Sequence, residues 1–259
     1  AVLRAAHLDM VSLANNHALD YGTEALADTI TLLDEAEIGH AGAGRTVEEA
    51  AQPAVIETTM GRIGLLAFTD NQPEWEAWPD EPGVLYIPVA LRDRRATDLL
   101  ARVRQLRTTV DFLIVAAHWG PNWGYLPPPE HVSFGHALID AGADMVFGHS
   151  SHVCRGIEIY QRRPILYSAG DFIDDYRVDP VERNDESGIF VLETDQQHCP
   201  SRLQVYPTVI EDCQARLATG AWAEDFALKL RRLCADLGTP ATWHAADGFL
   251  DIPISDARS

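Results

Sequence analysis

The chain has 259 residues, of which 46% are apolar, enough to build a substantial core in one large domain without splitting it. Lysine and arginine total 20 against 39 acidic residues, for a net charge of −19. With no basic stripe, that balance argues against a nucleic-acid backbone as partner; it is compatible with divalent-cation binding and equally with plain solubility.

In chain order, residues 9–14 (DMVSLA) predict a short buried strand. Residues 23–36 predict a helix with Thr23 as its N-cap and Leu26, Ile30 and Leu33 on one face. The stretch IGHAGAGRTVEEAAQP predicts a glycine-rich loop and a short helix, where Thr46 and Glu49 have capping-box spacing and Pro53 follows the end. AVIETTMGRIGLLAFTD predicts two strands joined by a tight turn at Met60-Gly61. Residues 71–90, rich in Trp, Pro and acid, predict a long loop, and 91–107 an Arg-rich amphipathic helix burying Leu99, Val103 and Leu106.

DFLIVAAHWG predicts a buried strand, PPPEHVSFGHALIDAGA a proline-started helix, and DMVFGHSSH a further strand. GIEIYQRRPILYSAGDF predicts a hairpin, GIFVLET and RLQVYPTVI two more strands, and 221–237 a last helix with Phe226, Leu230, Leu233 and Leu237 on one face. Strands interleaved with helices and hairpins predict an α/β fold with mixed sheets. Cys154, Cys199, Cys213 and Cys234 form no C-x-x-C pair, which excludes a zinc ribbon or thioredoxin-type motif. No apolar run of about 18 residues exists to span a membrane. The opening residues lack the pattern of a signal peptide and of an initiator methionine, so the native protein is expected to extend upstream.

Three apolar strands share one kind of polar end: SLANNH, IVAAHWG and MVFGHSSH. They carry Asn16, His17, His118, His149 and His152. A lone histidine at a strand end ordinarily caps its own loop. Three such ends together form a constellation, because ligands gather at the carboxyl ends of strands in open α/β sheets. Neutral imidazole is the commonest protein ligand for transition-metal cations, and an amide oxygen is an uncharged ligand able to join it.

SLANNHALDYG, HWG, GADMVFGHSSHV, GIEIY and PILYSAGDF, in that order, closely resemble the CapA family, named for poly-γ-glutamate capsule biosynthesis, within the calcineurin-like metallophosphoesterase superfamily. The resemblance runs from about residue 1 to residue 176. It implies a single domain over 1–259, a sandwich of two mixed β-sheets flanked by helices, lacking its N-terminal strand. It implies metal ligation by Asn16, His118, His149 and His152, with His17 free to protonate a leaving group. Asp20 either orients His17 or caps the helix near Thr23. The implied cofactor is a pair of divalent ions of the Mn, Fe or Zn class. Two such ions about 3.5–4 Å apart activate a bridging water and clamp a phosphoryl oxygen.

This chain departs from the pattern in places. It begins 15 residues before Asn16, leaving no room for the superfamily's upstream carboxylate motifs, so at most one ion is expected here. Ser150 and Ser151 stand where many relatives have histidine and proline, Asn122 where many have an acid, and Asp171 where many have asparagine. Asp171 either restores negative charge near the site or caps a loop. The expected partners are a polymer or phosphoester substrate, and the expected activity is hydrolysis or transfer at a phosphoester or amide bond. The alternative is a non-catalytic assembly factor of an envelope polymer machine with a degenerate site. Trp75, Trp78, Trp119 and Trp123 either wall a substrate cleft or pack their loops. GAGRTV lacks the third glycine of a dinucleotide fingerprint, and Ser12 and Ser168 sit in no nucleophile elbow.

Overall fold

The protein was analysed as a computed structural model, which describes residues 2–59 and 61–254; Met60, half of the turn expected above, lies outside the described residues. The chain forms two compact units: one runs to Trp119 and includes Asp140–Ala143, the other comprises Gly120–Ile139 and the chain from Asp144 on.

The first unit opens with a single turn, α1 (Val2–Ala5), and the short strand β1 (Met10–Ser12). Helix α2 (Gly22–Glu35) follows, burying Leu26, Ile30 and Leu33 as their spacing predicts. Its N-terminus differs from expectation: Tyr21 holds the cap position without a side-chain bond, and Thr23 lies inside the helix. The expected glycine-rich loop contains two short strands, β2 (Gly39–Ala41), parallel to β1, and β3 (Ala43–Gly44). Helix α3 (Val47–Ala50) carries the predicted cap, with Thr46 Oγ1 accepting from the Glu49 N–H at 3.2 Å. Glu49 reaches back one residue beyond the cap, to the Arg45 N–H at 2.7 Å.

β4 (Ala54–Thr58) and β5 (Gly61–Thr69) pair antiparallel. Gly61 sits at φ +124°, and a Cβ there would meet the Asp111 carboxylate that accepts the Arg62 N–H at 2.7 Å, so the turn requires glycine. β6 (Gly83–Val84) pairs with β3 inside the long loop. Helix α4 (Arg94–Arg107) starts at Asp93, whose carboxylate accepts the Arg95 N–H; it buries Leu99 and Val103, while Leu106 is only half-buried. β7 (Phe112–His118) lies parallel to β5 and is apolar on both faces, as a buried parallel strand must be.

The second unit contains all of α5 (Pro129–Asp140) but its last residue, and β8 (Met145–His149), then the hairpin β9 (Ile157–Tyr160) and β10 (Arg163–Leu166), with β10 parallel to β8. Strand β11 (Glu186–Thr194) pairs antiparallel along one edge of the long strand β12 (Pro200–Glu211). The remaining elements are β13 (Gln214–Leu217), helix α6 (Gly220–Asp236), β14 (Thr242–His244) and β15 (Phe249–Pro253). β13 and β15 pair with different parts of β12, and β14 closes the sheet against β15. Several sheets, parallel and antiparallel, flanked by helices make this a mixed α/β protein, as the element pattern predicts. Among the described residues no helix is long and apolar enough to cross a membrane.

Candidate functional site

In the first unit, small residues set the position of the Asn-Asn-His turn. Ala14 is fully buried in a cluster with Ala41, Ala54, Leu65, Ala67 and Ala116. Gly42, at φ +93°, lies so close that a Cβ would stand 2.5 Å from the Ala14 Cβ. The chain past β1 is therefore pinned at Ala14 and free to turn outward immediately after it. Asn15 Oδ1 then accepts the His17 N–H at 2.8 Å, closing the turn. Asn16 is half-buried on this turn.

His17 is exposed, and its Nδ1 lies 2.8 Å from Asp20 Oδ2. Of the two roles open to Asp20, the geometry is that of orienting His17, since α2 starts without it. A carboxylate only accepts, so Nδ1 carries the proton and Nε2 is left for chemistry.

His118 ends β7 and is 5% exposed. Its Cα partner across the parallel strands is Thr69, the last residue of β5. Thr69 Oγ1 lies 2.9 Å from His118 Nδ1, and Asn71 Nδ2 lies 3.3 Å from the same nitrogen. Trp119, the next residue, is fully buried and packs edge-on against Phe68 at 6.2 Å, so it belongs to the core rather than to a cleft wall.

In the second unit His149 ends β8. Part of its surface is open, yet dense packing desolvates the ring and pushes it down to about 4, so it is neutral near pH 7. The turn after it is held open at Ser150, whose φ is +108° and whose hydroxyl donates to the Gly120 carbonyl at 3.1 Å. Ser151 is buried, and its carbonyl accepts from the Ser168 hydroxyl at 2.8 Å.

These ties aim His152. Its N–H donates to the Asn122 carbonyl at 2.9 Å, and its Nδ1 lies 2.9 Å and 3.1 Å from the two oxygens of Asp171. The bond to Asp171, opposed by partial burial, raises the imidazole above its ordinary range. Tyr176 stacks on the ring at 4.8 Å between centroids, and Trp123 tilts against it at 5.5 Å. Asp174, half-desolvated and beside Asp171, is itself raised.

The loop bearing Asn122 and Trp123 is fixed from beneath by Arg155, which is fully buried. Its guanidinium donates to the carbonyls of Gly124 at 2.9 Å, Pro121 at 3.1 Å and Trp123 at 3.4 Å. Arg155, Thr69 and Tyr176 are not among the sequence candidates, whereas Asp171 is expected from sequence either to restore negative charge near the site or to cap a loop. The only sequence signal was the aspartate in PILYSAGDF where many relatives carry asparagine.

The donor chemistry fits a transition-metal cation in part. His149 is neutral, and His152 has the carboxylate-backed Nδ1 that ordinarily leaves Nε2 as a ligand. Among the described residues, no group of three or more His, Cys, Asp or Glu is arranged to hold a metal ion.

Comparison with known proteins gives the ancestry. Residues 1–176 match the family described as bacterial capsule synthesis protein PGA_cap. A probable polyglutamine synthesis accessory protein of Mycobacterium tuberculosis is 44% identical over 67% of this chain and 47% of its own length. The capsule biosynthesis protein CapA of Bacillus anthracis is 26% identical over 98% of this chain and 60% of its own. The chain thus spans about half the length of the curated relatives it matches. Among solved structures, a novel phosphatase from Mycoplasma pneumoniae aligns over 80% of this chain and 67% of its own at 12% identity, with a TM-score of 0.45. With its family match covering the strand-end motifs that carry every candidate residue, the chain belongs to the CapA-type bacterial capsule synthesis protein family.

Proposed function

We propose that this chain is the hydrolytic or transfer module of a protein that builds or trims a poly-γ-glutamate-type capsule polymer, acting at a phosphoester or amide bond with a divalent cation. The observation that supports it most directly is the His152–Asp171 pair, a side chain given one fixed tautomer and two aromatic walls. In this reading Asn16, His118, His149 and His152 would hold a Mn, Fe or Zn-class ion, which when bound polarises the substrate oxygen and activates water. His17, exposed and with its Nδ1–H held by Asp20, would in its doubly protonated form deliver the Nε2 proton to the leaving group and be left as the neutral Nδ1–H ring. Trp123 and Tyr176 would exclude water from one side of His152.

The rival reading is a non-catalytic assembly factor of an envelope polymer machine. It draws on the word accessory in the description of the mycobacterial relative. One experiment separates the two. The full-length protein is incubated with poly-γ-glutamate and, separately, with bis-p-nitrophenyl phosphate, each with Mn²⁺ and each with a chelator. Turnover of either that the chelator abolishes supports the enzyme. Polymer binding without turnover in any metal supports the assembly factor.

A further inference from the structure

We propose that a groove along α4, in the first unit, binds one carboxylate-bearing amide unit of an extended acidic chain, with Arg102 on the carboxylate and Gln52 and Gln105 on the amide.

The groove has a volume of about 270 Å³. One wall is a flank of α4 and the turn after it. Arg102, Gln105, Leu106 and Thr109 follow the i, i+3, i+4, i+7 spacing that brings side chains to one face. The other wall is Ala51-Gln52-Pro53, where the chain leaves α3. Leu66 of β5, 1% exposed, forms the floor. None of the residues assigned above to metal or proton transfer lines it. The volume lies just below the roughly 300–1,000 Å³ of drug-sized sites, which suits one residue-sized unit. A second cavity of about 90 Å³ adjoins it at Arg102, beside Arg95 and Asp98. Two cavities along one helix flank suit an extended chain better than a free small molecule.

The arginines of α4 divide into committed and uncommitted. Arg94 lies 3.6 Å from Asp98, and Arg95 is 3.0 Å from both Glu76 and Asp93. Arg107 donates to the Val110 carbonyl at 2.7 Å. Among the described residues, the side chains of Arg102, Gln52 and Gln105 have no hydrogen bond or ion pair. Three uncommitted polar groups therefore rim an apolar floor. Arg104 is uncommitted too, but it lines neither cavity.

These groups select a ligand. A guanidinium pairs a carboxylate through two parallel hydrogen bonds. One uncompensated guanidinium balances one carboxylate. A phosphate monoester carries close to two charges and would leave an excess in a chain of net −19. A primary amide both donates and accepts, so the two glutamines match the C=O and N–H of an amide link. Pro53, Leu66 and Leu106 cover the methylenes between them. That the bound chain is γ-linked glutamate rests on the reading of function given above, whereas the carboxylate and amide recognition does not.

The test is fluorescence anisotropy of a labelled γ-linked glutamate oligomer titrated with this chain in the presence of a chelator. Labelled polyacrylate of matched length, which has carboxylates and no amides, is titrated beside it. Wild type should bind the oligomer more tightly than polyacrylate. Arg102→Gln, at an exposed position where glutamine keeps helix propensity, should raise the oligomer Kd at least about tenfold. Gln52→Ala combined with Gln105→Ala should weaken the oligomer and leave polyacrylate unchanged. Arg104→Gln removes an equal charge from the same helix and should leave both ligands within about twofold of wild type. No binding by wild type overturns the proposal. So does equal loss in Arg102→Gln and Arg104→Gln, which would mean charge alone, and so does equal binding of oligomer and polyacrylate. A dimer that Arg102→Gln dissolves would give the groove to a second copy of the chain and overturn it as well. Because binding is read without metal or turnover, failure here leaves the hydrolase reading standing, and failure of that reading leaves the binding measurable.

Discussion

The carboxylate of Asp171 faces His152 Nδ1 with both oxygens, at 2.9 Å and 3.1 Å, across 19 residues of sequence. The pair is possible because three short-range devices converge on it. Ser150 adopts a left-handed turn, the Asn122 carbonyl takes the His152 N–H, and Arg155 locks the loop that carries Asn122. Removing the charge of Asp171 should undo its main electrostatic effect. In Asp171→Asn the titration midpoint of His152, followed by NMR in the chelated protein, should fall toward the ordinary histidine value near 6.5. A midpoint unchanged by the substitution would mean that the raised value has another source.

His131 makes a prediction of opposite sign. Burial, reinforced by the positive charge of Arg155, pushes its imidazole down to about 4. Above about pH 6.5 neither the folded nor the unfolded chain binds a proton there. Below it the unfolded chain does and the folded chain does not, so stability falls as pH drops toward 4 and levels beyond. At pH 5 the loss from this one group is about 2 kcal/mol relative to pH 7, taking 1.36 kcal/mol per pH unit. His131→Gln should lose that part of the slope. Urea unfolding of both proteins at pH 7 and pH 5 measures it, and equal slopes in the two would refute the assignment.

The sequence makes elements legible where local pattern and burial coincide. β7 is apolar on both faces and ends at a histidine, so FLIVAAH could be read as a buried strand without its neighbours. The buried Leu26, Ile30 and Leu33 of α2 and the Thr46 cap of α3 are local in the same sense. The short strands β2 and β3 were not legible, because GHAGAG has no alternation and its strands exist only through their pairing with β1 and β6. The histidines of the site were visible as residue types at strand ends. Their partners were not. Thr69 meets His118 across 49 residues because β5 and β7 lie parallel in that register, which no local pattern encodes. Trp119 shows the converse: a tryptophan beside a candidate ligand is open to a cleft or a packing reading, and its full burial and edge-on contact with Phe68 put it in the core.

Gly42 tests whether the Asn-Asn-His turn depends on close packing. A Cβ at this position would stand 2.5 Å from the Ala14 Cβ and 2.9 Å from the Ala67 Cβ, and φ is +93°. Overpacking typically costs about 1–3 kcal/mol, and the left-handed backbone adds to it. Gly42→Ala should therefore lose at least about 2 kcal/mol of stability and shift the His17 resonances, whereas Gly124→Ala, where a Cβ meets nothing within 4 Å, should leave His17 unmoved. If both variants leave the His17 spectrum unchanged, the turn is not held by Ala14.

The division of labour between His17 and His149 gives the sharpest functional prediction. The side chain of His17 is 71% exposed, its Nδ1 is held by Asp20, and exposure favours exchange of a proton with solvent between turnovers. His149 is partly open at its surface, but its ring is desolvated and neutral, as a ligand's should be. In the full-length protein, His17→Asn should then lower turnover by about 10²–10⁴-fold, the usual weight of a general acid, while the metal content of the purified protein stays near wild type. His149→Ala should instead lose metal, and activity should fall with it. Asp20→Asn should act through His17, with a smaller loss of turnover and unchanged metal. Metal analysis after desalting, set beside initial rates across pH, reads all three. Equal metal loss in His17→Asn and His149→Ala would make His17 a ligand, and its exposed position beside Asp20 would then describe only the chain before the ion arrives.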